Sequence, residues 1–274
     1  MTATRAKSTT VVSRDGTEIA FDLLGTGPAL ILVSSALSDR SDAAKLATLL
    51  SEHFTVVNYD RRGRGASCDA AEYAVEREIE DIAALIDHVG GTASLFGSSS
   101  GAVLALRAAA SGLKVDRLAL YEPPFAVNDD GFGPPRDYPQ HVRTLLAADR
   151  RGEAVKYFMT RTQGIPGVMV GMMRLMPGIW SNLKGLAHTL PYDAAVMGDT
   201  QQGRPLGARP WAAAAMKTLV VTGGKSPAGF QDAADAVVGI LPDAGRRTLP
   251  GLNHGAVVTA PKKLAAALVE FLNG

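Results

Sequence analysis

Residues 97–101 read Gly-Ser-Ser-Ser-Gly, and only the central serine, Ser99, has glycine two places before it and two places after. A short apolar run, Ser94 to Phe96, enters this pentapeptide and a helix-forming run, Ala102 to Ala110, leaves it. A residue at the apex of a sharp strand-to-helix turn is forced into strained backbone angles, and its neighbours must be small for strand and helix to close up behind it. The frame Gly-x-Ser-x-Gly thus selects Ser99, rather than Ser98 or Ser100, as a candidate nucleophile. A serine hydroxyl attacks poorly by itself, so it needs a base within hydrogen-bond reach and an acid that fixes the tautomer of that base. Taken alone, the pentapeptide reads equally as a Gly/Ser-rich loop. The elements around it have to decide.

Before Ser99, Thr10–Ser13 and Thr17–Leu23 alternate around Arg14-Asp-Gly16, the pattern of a hairpin. Ala29 to Val33 is a wholly apolar run, as in a strand covered on both faces. Ser41 to His53 has helical spacing, Phe54 to Asn58 is the next strand, and Val75 to Val89 is an amphipathic helix with Ile79, Ile82, Leu85 and Ile86 on one side. After the serine strand and its helix, Arg117 to Tyr121 runs into Glu122-Pro-Pro124. Strand and helix alternate throughout, which predicts a doubly wound α/β sheet, mostly parallel.

That rhythm stops between Phe125 and Pro210, where helical stretches are punctuated by Gly and Pro: Tyr138–Asp149, Glu153–Arg161, Val168–Met176, Ile179–His188 and Tyr192–Met197. Five of the eight methionines (Met159, Met169, Met172, Met173, Met176) fall between Met159 and Met176. They suit either a helix core or the apolar underside of a lid over a substrate pocket. The rhythm resumes with a strand at Lys217–Thr222, a helix at Gln231–Leu241, a strand at Arg246–Leu249 and a helix at Pro261–Leu272. The expected division is a core of residues 1–124 and 211–274 with a helical insertion, 125–210, after the sixth strand.

Charge and composition narrow the function. Lys and Arg number 28 against 27 Asp and Glu, a net charge of +1, so nothing argues for nucleic acid or an anionic membrane as partner. A chain of 274 residues, 46% hydrophobic and 20% charged, suits one α/β domain with an insertion. A single cysteine, Cys68, excludes an internal disulfide and a cysteine-based metal site, and it lacks the setting of a reactive thiol. Met1 to Thr9 is polar with no signal-peptide core, and no apolar run reaches the ~18 residues of a membrane span. These features predict a soluble, cytoplasmic protein; they are silent on oligomeric state.

This order of parts resembles the α/β-hydrolase fold over nearly the whole chain: a serine elbow after the fifth strand, a helical cap after the sixth, and a histidine on a loop after the last. The resemblance implies a triad in the order serine, acid, histidine. Ser99 is then the nucleophile. His254, in Gly-Leu-Asn-His-Gly after the last strand, is the base, whereas His53 and His88 lie at helix ends and His141 and His188 in the expected cap. In most relatives the acid is an aspartate after the strand that follows the cap; here that turn reads Thr222-Gly-Gly-Lys-Ser226-Pro227, with serine in its place. Glu122, at the end of the sixth strand, is the substitute acid, a position used by the haloalkane dehalogenases. Asp232 and Asp235 are the alternatives, though their spacing places them on the outer side of a helix.

The resemblance further implies an oxyanion hole from two backbone N–H groups, those of Ser100 and Ala36. Relatives commonly carry His-Gly before the latter; here Ser34 and Ser35 stand there. Asp60-Arg-Arg-Gly-Arg-Gly65 matches a familiar structural loop of this fold, and no P-loop Lys-Ser/Thr follows it. Ser34, Ser35, Met159, Met172 and Met173 are the expected pocket residues. The implied activity is cleavage of an ester, lactone or related acyl bond of a small, fairly apolar substrate, with no metal or cofactor. Perhydrolase, acyltransferase, lyase or cyclase chemistry, or ligand binding without turnover, are the other functions such a scaffold hosts.

Overall fold

The computed structural model describes residues 7–274, so residues 1–6 of the polar N-terminal stretch lie outside it. Strands β1 (Lys7–Val12) and β2 (Glu18–Leu24) form the expected antiparallel hairpin around Gly16, whose φ of 87° suits glycine. The chain continues through β3 (Ala29–Val33), α1 (Ala44–Leu50), β4 (Thr55–Tyr59), α2 (Val75–His88), β5 (Ala93–Ser98), α3 (Ser100–Ala110) and β6 (Val115–Tyr121). Five helices follow: α4 (Tyr138–Ala147), α5 (Arg151–Arg161), α6 (Gly167–Met173), α7 (Pro177–Leu186) and α8 (Leu190–Met197). Then come β7 (Lys217–Gly223), α9 (Ala228–Ile240), β8 (Ala244–Leu249), α10 (Ala256–Thr259) and α11 (Pro261–Asn273). Helix α9 begins at Ala228 rather than Gln231, directly behind Pro227.

The strands form one eight-stranded sheet in the order β1-β2-β4-β3-β5-β6-β7-β8, parallel from β4 to β8. Two-sided burial explains the apolar runs. On β3, Ile31 and Val33 join the core beneath α2, α3 and α9, while Leu30 and Leu32 join the one beneath α1 and α11. Alternate side chains of a strand point to opposite faces, so one short run feeds both cores.

A third apolar core lies among the inserted helices, and Leu37, from the loop after β3, is part of it together with Tyr138, Phe158 and Leu190. The inserted helices are thereby seated on that loop. Strand order reverses at β3, which has β4 on one side and β5 on the other. The loops leaving the C-terminal ends of β3 and β5 therefore part company, opening the crevice in which α/β sheets bind ligands. Among the described residues no helix is long and apolar enough to cross a membrane.

Candidate active site

Ser99 stands between β5 and α3 with φ 54° and ψ −125°. Both glycines of its frame are required by backbone packing. A Cβ on Gly97 would sit 2.3 Å from the carbonyl oxygen of Gly101, and one on Gly101 would sit 2.3 Å from that of Val33. The first glycine lets α3 fold back over β5, and the second lets the loop after β3 pass close to the helix N-terminus. Four non-glycine residues among those described have positive φ, and three of them, Leu37, Ser99 and Glu122, belong to this site. Strain of this kind, of order 1–3 kcal/mol per residue, survives where the surroundings over-determine the backbone.

His254 lies just before α10, with its Nε2 3.1 Å from Ser99 Oγ and its Nδ1 2.7 Å from Glu122 Oε2. The imidazole is held by a stack on Phe230, centroids 4.5 Å apart, and its loop by the Tyr121 hydroxyl, which donates to the Asn253 carbonyl at 2.6 Å. Glu122 is fully buried, and its second oxygen, Oε1, accepts the Gly223 N–H at 2.6 Å. Because β6 and β7 are neighbours paired Tyr121 to Val221, a carboxylate just past β6 reaches the space beside the β7 turn. Ser226, in the turn after β7, has a buried hydroxyl with no protein partner. Asp232 and Asp235 are engaged on α9, accepting from Asn128 and pairing with Arg246.

The N–H of Ser100 belongs to the first turn of α3, where backbone donors have no intrahelical acceptor. Ala36 borders the same space beside Ser99 and His254. The Ser34 and Ser35 carbonyls accept from Arg61 Nη1 at 3.3 Å and Arg64 Nη1 at 2.5 Å, and the Ser35 hydroxyl pairs with that of Ser38 at 3.0 Å. The Asp60–Gly65 loop ties its neighbours together, as the resemblance implies. Asp60 is buried and accepts the N–H groups of Arg40 and Ala66, each at 2.8 Å. Arg61, Arg62 and Arg64 are themselves buried.

Those guanidinium groups have partners. Glu78 of α2 receives Arg61 through two bonds of 2.6 Å, and Asp81 receives Arg62 at 2.8 and 2.7 Å. Asp193 of α8 accepts from Arg61 at 2.8 Å, from Arg64 at 3.0 and 2.8 Å, and from the Ser100 hydroxyl at 2.8 Å. Burial opposes charge on Asp193, but Arg64 and Arg61 outweigh it and hold the carboxyl below the usual range; Arg61 does the same for Glu78. Asp193 escapes a sequence reading, since its partners are 93 or more residues away. Glu78 and Asp81 carry a signal: they share the helical face of Ile82 and Leu85, so two carboxylates are turned toward the core.

Two cavities of about 240 and 250 Å³ meet at Ala36, Ser99, Phe158, Gln163 and His254. Ser34, Ser35 and Met159 line the first; Phe132, Tyr138, Arg161, Met197 and Phe230 help line the second. Met172 and Met173 line neither, contrary to expectation. Helix α6 buries only Val170, which leaves Met172 at 55% exposure, while Met173 packs on the rim of the inserted helices' core. Methionine spacing marks an apolar face without saying what covers it. The other histidines stay apart from the site: His88 packs on Phe21, His141 on Tyr157, and His188 bonds the Gly185 carbonyl.

A mostly parallel sheet with a serine on a tight turn after β5, and inserted helices after β6, defines the α/β-hydrolase class. The chain belongs to the alpha/beta hydrolase family, whose model matches residues 25–267. An α/β hydrolase from Sphaerobacter thermophilus DSM 20745 is 49% identical, with a TM-score of 0.88 over 96% of this chain and 100% of that one. An uncharacterized hydrolase of Bacillus subtilis, YraK, is 37% identical over 95 residues, 33% of this chain; the match spans only 35% of that protein's length. The enol-lactonase of Burkholderia xenovorans LB400 shares the fold, with a TM-score of 0.69 at 23% identity over 97% of this chain and all of that one.

Proposed function

We propose that this protein is a serine hydrolase that cleaves an ester, lactone or related acyl bond of a small, fairly apolar substrate. The observation that carries the reading is the continuous chain Ser99 Oγ, His254 Nε2, His254 Nδ1, Glu122 Oε2, with steps of 3.1 and 2.7 Å either side of the ring. In this reading His254 takes the Ser99 proton as the oxygen attacks the substrate carbonyl. Glu122, anchored by the Gly223 N–H, keeps the Nδ1 proton in place and stabilises the imidazolium. The carbonyl oxygen, now an anion, is received by the N–H groups of Ser100 and Ala36, with the α3 dipole behind the former.

His254 then returns its proton to the leaving alcohol or enolate. Water, deprotonated by the same imidazole, attacks the acyl carbon, and Ser99 is released. Residues 125–210 act as a cap: they supply Phe158, Gln163 and Tyr138 to walls whose floor comes from the core. Two compartments meeting at Ser99 suit a substrate with groups on both sides of the scissile bond.

The test is turnover of p-nitrophenyl acetate and butyrate and of a small enol lactone. Wild-type protein should hydrolyse at least one of them, with Ser99→Ala losing on the order of 10⁶-fold in kcat. A folded wild type inert toward every ester and lactone would overturn the proposal.

A further inference from the structure

Both loops that carry the proposed oxyanion donors are tied to one buried cluster. Arg61 and Arg64 donate to the carbonyls of Ser34 and Ser35, the two residues immediately before Ala36. The same two side chains converge on Asp193, which also accepts the Ser100 hydroxyl. Asp193 Oδ1 alone receives three donors, from Arg61, Arg64 and Ser100. Asp193 belongs to α8, the last of the inserted helices, and is 4% exposed. It touches the wall of the second cavity beside Ser99 and Ser100.

We infer that Asp193 is a positioning residue that sets the spacing of the two oxyanion N–H groups, working through Ser100 on one side and through Arg61 and Arg64 on the other. This inference rests on the hydrolase reading above for its catalytic consequence, though not for its structural one. Donors for a developing oxyanion must be held to within a few tenths of an ångström, and they are most effective when fixed before reaction. In the loop after β3 the Ser34 and Ser35 carbonyls are gripped by two guanidinium groups, and those groups need a carboxylate to aim them. Glu78 fixes one group from α2, and Asp193 joins that group to its neighbour and to the elbow. The cluster pairs two guanidinium groups with two carboxylates, so it holds the donors without placing net negative charge beside the oxyanion.

Because Asp193 belongs to α8, the inserted helices take part in holding both N–H groups.

The test compares wild type, Asp193→Asn, Ser100→Ala and the double variant, with the exposed Glu270→Gln as control. Hydrolysis of p-nitrophenyl butyrate and hydrogen exchange of residues 34–39 and 99–104 are followed in each. Losing one oxyanion donor costs about 10²–10³ in kcat, and a loosened donor should cost part of that. Asp193→Asn should therefore lower kcat about 10- to 100-fold with KM changed less than about threefold, and should accelerate exchange in both loops. Ser100→Ala should fall in the same direction, and the double variant should be no worse than Asp193→Asn, because the Ser100 hydroxyl acts only through its bond to Asp193.

Additive losses, a rise in KM alone, or unchanged exchange in both loops would overturn the inference. Should Asp193→Asn not fold, Ser100→Ala decides by itself: unchanged kcat and exchange would overturn it. Exchange reads the positioning even if the wild type turns over no ester, so failure of the hydrolase reading is seen separately.

Discussion

Glu122 combines a left-handed backbone, φ 48°, with a carboxylate wholly withdrawn from water, and both oxygens are committed to Gly223 and His254. Glu122→Gln keeps the shape but puts an amide against Nδ1, favouring the wrong tautomer. It is expected to lower kcat roughly 10⁴-fold, whereas Asp232→Asn should leave kcat unchanged; esterase assays on both variants decide between them. Gly101→Ala drives a Cβ into the Val33 and Ser34 carbonyls, at 2.3 and 2.4 Å, so it should destabilise the fold by about 1–3 kcal/mol and weaken turnover. Urea unfolding with parallel kinetics measures both effects. Ser99 was legible in sequence because its two glycines flank it closely. Glu122 was legible as a charge wedged between an apolar strand and two prolines. Asp193 was not, because nothing near it in sequence says that a helix surface aspartate will meet Arg61, Arg64 and Ser100 across the fold.

Elements were easier to find than their partners. Helical spacing located α2, α5 and α11 closely, yet the same spacing made the methionines of 159–176 look like one stripe. They divide: Met159 is buried against the first cavity and Met172 is half in solvent. Met159→Ala should cost about 2–5 kcal/mol, and Met172→Gln about 0.5 kcal/mol or less, by denaturant titration. The arginine loop gives a further prediction. Glu78→Gln leaves Arg61 short of a charge in a buried site and should cost about 3–5 kcal/mol.

The cluster also sets a pH dependence. Arginine neighbours hold Glu78 and Asp193 below the usual carboxylate range when folded, despite burial. Their contribution is therefore complete above the unfolded-state values and is lost as pH falls through that range toward the lower, folded values. Burial raises Asp60 and Asp81 instead, which offsets part of the loss. The urea midpoint should drop from about pH 5 to pH 3, and less steeply in Asp193→Asn than in wild type. An equal slope in both would contradict the assignment.

At the scale of the molecule, the alternation of strands and helices announced the sheet, and the break in that alternation announced the inserted helices. Cavity dimensions were out of reach, because they depend on how five short helices settle over Leu37 and the loop after β3. Compartments of about 240 and 250 Å³ on either side of Ser99 favour short groups. Acetyl and butyryl esters should exceed the dodecanoyl ester in kcat/KM by about tenfold or more, given how small these compartments are beside usual ligand sites. The central claim is that Ser99 is an activated nucleophile. It is tested most directly by exposing the folded protein to a fluorophosphonate and mapping the adduct by mass spectrometry. Stoichiometric labelling on Ser99, lost in Ser99→Ala and strongly slowed in His254→Ala, is the predicted result. A folded wild type that takes up no label, or carries it on another residue, would contradict the account.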